Sequence, residues 1–144
     1  MLTALLSVSL ALLANVSIGL LSMHPRPFMI PLGHTWMSHK AETSFPSDHA
    51  AIFFAVGLGL CFGGLRRMGW TIAALGVAVG WSRVYLGVHF PFDIAGALLV
   101  AIASSWAVFA VLNFQGLGAR LLDSLETGYR RLFAVPIGRG WTRG

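Results

Sequence analysis

A histidine and a carboxylate stand four residues apart in the run Ser82-Arg83-Val84-Tyr85-Leu86-Gly87-Val88-His89-Phe90-Pro91-Phe92-Asp93. Side chains at that spacing share one face of a helix. Asp93 can therefore hold one imidazole nitrogen of His89 protonated and leave the other to act as a nucleophile. Earlier in the run, across a turn containing Gly87, Arg83 offers a planar fork that suits two phosphoryl oxygens. The blander reading of the same residues is a structural His–Asp pair with Arg83 as a topological anchor.

Two further clusters concentrate polar groups. In Ser44-Phe45-Pro46-Ser47-Asp48-His49, Ser47 is a candidate helix N-cap, and the free N–H groups of the following turn, that of Asp48 included, would make an anion site. His49, in that turn, could protonate a leaving oxygen. Taken alone, such a segment is more often a plain helix start. In His24-Pro25-Arg26-Pro27 the prolines restrict the backbone around Arg26, which suits a phosphate clamp or, alternatively, a snorkelling interfacial arginine. His24, His34 and His39 have no comparable partners and read as loop or interfacial histidines.

The elements that position these clusters follow from hydropathy. Of 144 residues, 56% are hydrophobic and only 10% charged, with a mean hydropathy of +0.76. Soluble domains carry about 25% charged residues, so the apolar surplus exceeds what one small core can hide. Four uncharged runs, 2–23, 50–65, 68–82 and 94–117, predict four membrane-spanning helices, each needing roughly 20 residues. A signal peptide is the alternative for the first run, but no Lys or Arg precedes it and no small-x-small site follows. The second and third runs are short and are expected to recruit neighbouring motif residues into their end turns. Glycines at 57, 59, 63, 64, 76 and 80 suggest close helix packing. The expected architecture is an all-α integral membrane bundle, with residues 1–115 as the transmembrane domain and 116–144 as a basic amphipathic tail.

Four spans place loops 24–49 and 83–93 on one side and the remaining polar segments on the other. The second side holds Arg66, Arg67, Arg120, Arg130, Arg131, Arg139 and Arg143, against Arg26, Lys40 and Arg83 on the first. The positive-inside rule then makes the second side cytoplasmic and turns all three polar clusters outward. The tail mixes Leu117, Leu121, Leu122, Leu125, Leu132 and Phe133 with charged residues and reads as an interfacial helix in contact with membrane lipids. The net charge of +5 is not interleaved with exposed aromatics, so no nucleic-acid partner is expected. A lone Cys61 excludes an internal disulfide and a cysteine metal site.

Together the three clusters resemble the motifs of the phosphatidic acid phosphatase type 2 superfamily, Lys-x6-Arg-Pro, Pro-Ser-Gly-His and Ser-Arg-x5-His-x3-Asp, over roughly residues 24 to 93. The third motif matches in every residue and spacing. The resemblance implies a phosphohistidine on His89, oriented by Asp93, with His49 protonating the leaving group. It implies phosphate binding by Arg26, Arg83 and Ser47, with Ser82 and Asp48 alongside, and neither metal nor other cofactor. Two residues depart from the pattern. The family lysine falls at Gly19, and the family glycine is Asp48. Pro-Ser-Asp-His looks like the undecaprenyl-diphosphatase, bacitracin-resistance branch, which implies a bacterial inner-membrane enzyme recycling the cell-wall lipid carrier, with its site on the extracytoplasmic face. The family core has six helices, and its first two have no counterpart among the four runs. A truncated gene, a minimal form, or a homo-oligomer or partner supplying helices would each account for this.

The expected function is thus hydrolysis of undecaprenyl diphosphate, or a similar isoprenoid diphosphate, to the monophosphate. Phosphatidate or phosphatidylglycerol phosphate is the alternative substrate. A non-catalytic subunit that binds lipid phosphate is the alternative of another class. A metal site of His49, His89 and Asp93 is disfavoured by the adjoining arginines.

Overall fold

The computed structural model describes residues 1–30, 34, 36 and 40–138; His39, Arg139 and Arg143, used in the sequence reading, lie outside the described residues. The side chains of 115, 117, 118 and 131–138 lie outside them as well. The described residues are helical, with no strand: α1 (Leu2–Leu21), α2 (Asp48–Phe62), α3 (Arg66–Tyr85), α4 (Pro91–Asn113) and α5 (Leu117–Gly138). They divide into two compact units, Met1–Phe109 and Ala110–Gly144.

Each predicted run lies within or largely coincides with a helix. The short second and third runs do take in motif residues: α2 starts on Asp48 and His49, and α3 gains Arg66 and Arg67 at its start and Arg83 near its end. Both α1 and α4 are long and apolar enough to cross a membrane, whereas α2 has 15 residues and falls short of that length. α3 has the length, at 20 residues, but carries three arginines. The fold class is an all-α bundle of membrane type.

Helix ends follow local chemistry. Asp48 at the head of α2 puts a negative charge at the positive end of the helix dipole. The turn after α2 passes through Gly64 at φ +92° and the turn after α3 through Gly87 at φ +72°, left-handed conformations that glycine adopts without a Cβ penalty. Pro91 opens α4, where its missing N–H costs nothing.

The core of the first unit is built from small residues. Ala11, Ala50, Ala51, Phe54, Ala55, Ala97 and Ala101 form its buried cluster. Backbone nearly touches backbone along the α2–α3 seam, where a Cβ on Gly57 would lie 2.8 Å from Gly69 O and from Ala73 N. The expected role of the glycines in packing holds at 57, 59, 76 and 80, but not at Gly64, where an added Cβ meets open space. In α1 the buried positions are Ala4, Ser7, Ala11, Asn15 and Gly19, a narrow stripe at helical spacing.

Candidate active site

The three polar clusters meet at one end of the first unit. Backbone bonds stitch them together: Ser44 N donates to His24 O at 2.7 Å, and Ser47 N donates to Asp93 O at 3.2 Å, joining the start of α2 to the start of α4. Thr43 Oγ1 donates to Ser22 O at 3.1 Å, tying the loop to the end of α1.

His89 and Asp93 are in contact, though not through a shared helix face as their spacing predicts. The residue before a proline is biased away from helical geometry, so α4 starts only at Pro91 and leaves His89 in the preceding turn. Asp93, in the first turn of the helix, folds back: its Oδ2 accepts Phe90 N–H at 2.8 Å and lies 3.2 Å from His89 Nδ1. The first of these bonds is one half of a capping box, with Asp in the place usually taken by Glu or Gln. The side chains are 4% and 1% exposed.

Arg26 closes the other side of the imidazole. Its Nη1 lies 3.3 Å from His89 Nε2 and donates to Val88 O at 3.2 Å, while Nε donates to Glu42 O at 3.2 Å. The residue is 6% exposed. Burial lowers the guanidinium pKa from its ordinary value, and the carboxylates of Glu42, Asp93 and Asp48 pull in the opposite direction.

A cavity of about 560 Å³ opens onto these groups. Its polar wall includes Arg26, Glu42, Asp48, His49 and His89, and its apolar wall includes Val16, Leu20, Met23 and Phe45. The cavity thus has a charged end, where Arg26 stands beside Glu42 and Asp48, and an apolar flank. Among the described residues no group of three or more His, Cys, Asp or Glu side chains is placed to hold a metal ion.

The remaining expected site residues are placed less uniformly. Ser47 occupies the N-cap position of α2, but its hydroxyl makes no capping bond. That hydroxyl is buried and without a protein partner, while the Ser47 N–H donates to Asp93 O. Arg83 sits half-buried in the last turn of α3, with Nε buried and unpartnered, and is not among the residues lining the cavity. Ser82 is exposed and its hydroxyl donates to Val79 O at 2.7 Å, so it is not brought to the cavity. His24 packs edge-on against Phe90, with ring centroids 5.7 Å apart.

Two residues escaped the sequence reading. Ser44 is fully buried, and its hydroxyl donates to Asp93 Oδ2. Asn15, 3% exposed in the middle of α1, donates from Nδ2 to Asp48 Oδ1 at 2.9 Å and lines the cavity. A lone amide in an otherwise uncharged apolar run is a signal that could have found Asn15, since polar groups at membrane depth are costly without a partner. Gly19 closes the wall nearby: a Cβ there would lie 2.8 Å from Thr43 Cγ2.

Comparison with known proteins gives this arrangement a context. A family model described as the PAP2 superfamily matches residues 1–116. The protein YbjG of Escherichia coli is 37% identical over 139 residues, covering 96% of this chain and 69% of that protein. Undecaprenyl-diphosphatase BcrC of Bacillus subtilis is 38% identical over 98 residues, covering 68% of this chain and 50% of its own. Phosphatidylglycerophosphatase B of Haemophilus influenzae is 37% identical over 93 residues, 54% of this chain and 38% of that enzyme. The chain thus spans about two thirds of the first relative and half or less of the other two.

Proposed function

Since this chain belongs to the PAP2 superfamily, we propose that it is a membrane lipid phosphatase that hydrolyses undecaprenyl diphosphate, or a similar isoprenoid diphosphate, to the monophosphate and inorganic phosphate. The observation that carries the reading is the two-sided environment of His89. Its Nδ1 lies against Asp93 Oδ2, and its Nε2 lies beside the Arg26 guanidinium at the wall of the cavity.

In the proposed reaction Nε2 attacks the terminal phosphorus. The N–P bond forms as the bridging P–O bond breaks in line with it. His49 gives a proton to the departing lipid phosphate, and Asp93 stabilises the positive charge that develops on the ring. Arg26 and the free N–H groups at the head of α2, from Asp48 onward, take the equatorial oxygens, where charge accumulates. Arg83, whose Nε is buried without a partner, is the candidate for a further donor. His49 then accepts a proton from water, which attacks the phosphohistidine, releases inorganic phosphate and restores His89.

The outward, extracytoplasmic orientation of the site is part of the proposal and is supported by the distribution of basic residues along the sequence. Such a site would serve recycling of a cell-wall lipid carrier, and with it bacitracin resistance. Purified protein is expected to release phosphate from undecaprenyl diphosphate in EDTA, and His89→Ala to lose at least about a thousandfold in rate. Full activity in His89→Ala would overturn the mechanism. A second reading, phosphatidylglycerol phosphate as substrate, draws on the likeness to phosphatidylglycerophosphatase B; competition between the two lipids in one assay separates them.

A further inference from the structure

We infer that Ser44 is a positioning residue for this reaction: its hydroxyl sets the Asp93 carboxylate so that His89 keeps its proton on Nδ1 and its lone pair on Nε2. The inference rests on the proposed attack by His89 and extends it to a residue outside the family motifs quoted above.

The donor and acceptor inventory around the ring carries the argument. Arginine is a donor only, so Arg26 Nη1, 3.3 Å from Nε2, requires a lone pair on that nitrogen. On the opposite side Nδ1 faces Asp93 Oδ2 at 3.2 Å and Ser44 Oγ at 3.4 Å. A serine hydroxyl has one proton, and here it is given to Asp93 Oδ2. Both oxygens beside Nδ1 therefore present lone pairs to it. With acceptors on one flank and a donor on the other, a single neutral tautomer satisfies the ring, and it is the one whose Nε2 can attack phosphorus.

Ser44 is itself fixed from elsewhere. It is fully buried, and its backbone N–H donates to His24 O at 2.7 Å, so its place is set by the segment that follows α1. Asp93 Oδ2 then accepts from Ser44 Oγ, Phe90 N and His89 Nδ1 together. Without the hydroxyl the carboxylate loses the one donor that comes from outside its own loop and helix. It is then held only from within its own loop and helix, by Phe90 N–H and His89 Nδ1, and Nδ1 loses its second acceptor.

A purely structural role, pinning the loop before α2 to α4, would alter stability and leave the ring chemistry alone. The test therefore reads the ring. In the full chain held in detergent micelles with 15N-labelled histidine, wild type should show His89 as the Nδ1–H tautomer and Ser44→Ala as a mixture of the two. The same substitution should lower kcat by about ten- to a hundredfold, the scale of one lost hydrogen bond to a charged group, with KM within about twofold. Ser44→Thr, which keeps the hydroxyl, should restore most of kcat. If Ser44→Ala does not fold, Ser44→Cys, of similar size with a weaker donor, takes its place with the same expected readings. Unchanged His89 ring signals overturn the inference, as does an unchanged kcat. An inert His89→Ala beside a fully active Ser44→Ala removes only this inference, whereas full activity in both removes the proposed attack itself.

Discussion

The site end of the first unit and the α2–α3 seam are both buried, and they are held by opposite means. At the site end, segments far apart in sequence are joined by polar bonds: Arg26 to Val88 and Glu42, Ser44 to Asp93, Asn15 to Asp48. Along the seam the close contacts are made at glycines, with Gly57 against the backbone of Gly69 and Ala73, and Gly76 against the ring of Phe54. Close approach brings dispersion without side-chain ordering, so the seam contributes cohesion and presents no chemistry. The polar end costs more to assemble, because every buried donor needs an acceptor. In return, most buried polar atoms there have a specified neighbour, with Ser47 Oγ, Asn15 Oδ1 and Arg83 Nε as exceptions. Function is thus concentrated where assembly is costliest, and stability where it is simplest.

That contrast can be broken by substitution at either end. The largest effect is expected from Asp93→Asn, which keeps the shape and removes the charge proposed to hold the His89 proton. Activity should fall by about a thousandfold or more, as when a tautomer-fixing carboxylate is lost elsewhere, while circular dichroism keeps its helical signal. Loss of the helical signal would mean that the site end also carries the fold. Next comes Gly57→Leu at the seam, which should lower stability by about 1–3 kcal/mol through overpacking, read as an earlier thermal transition in detergent. The fraction that remains folded should turn over substrate at the wild-type rate. Inactive folded protein would instead couple the seam to the site. The smallest effect is expected from Glu126→Ala in α5. Its pair with Arg130, 2.8 Å apart, is 61% and 75% exposed at the two side chains, and exposed i,i+4 pairs contribute little; neither the thermal transition nor the rate should change measurably.

The sequence made the helices legible because uncharged runs are local signals; α2 and α4 begin earlier than their runs by taking in motif residues, and α1, α2 and α4 end a few residues before theirs. His89, Asp93, Arg26 and His49 are singled out by residue type and spacing, and the structure brings them to one end of the first unit. What was not legible depends on how remote segments meet. The meeting of His89 and Asp93 was expected from helical spacing and arises instead from a side chain folding back across a proline-started helix. Ser47 was expected to cap α2, but its backbone is engaged by Asp93 O and its hydroxyl makes no cap. Ser82 has the motif's identity and points to its own helix backbone. Ser44 and Asn15 carry no local mark of their partners, which lie 49 and 33 residues away along the chain.

Gly19 carries a lesson about sequence change. The position where the family pattern has a lysine is held against the Thr43 methyl group, at 2.8 Å from where a first side-chain carbon would sit. A lysine introduced there must first move that methyl group, which sits on the loop that also carries Ser44. Gly19→Lys is therefore expected to be better tolerated beside Thr43→Ser, which has no methyl group, than beside the native Thr43, read from the thermal transitions of the two variants in detergent.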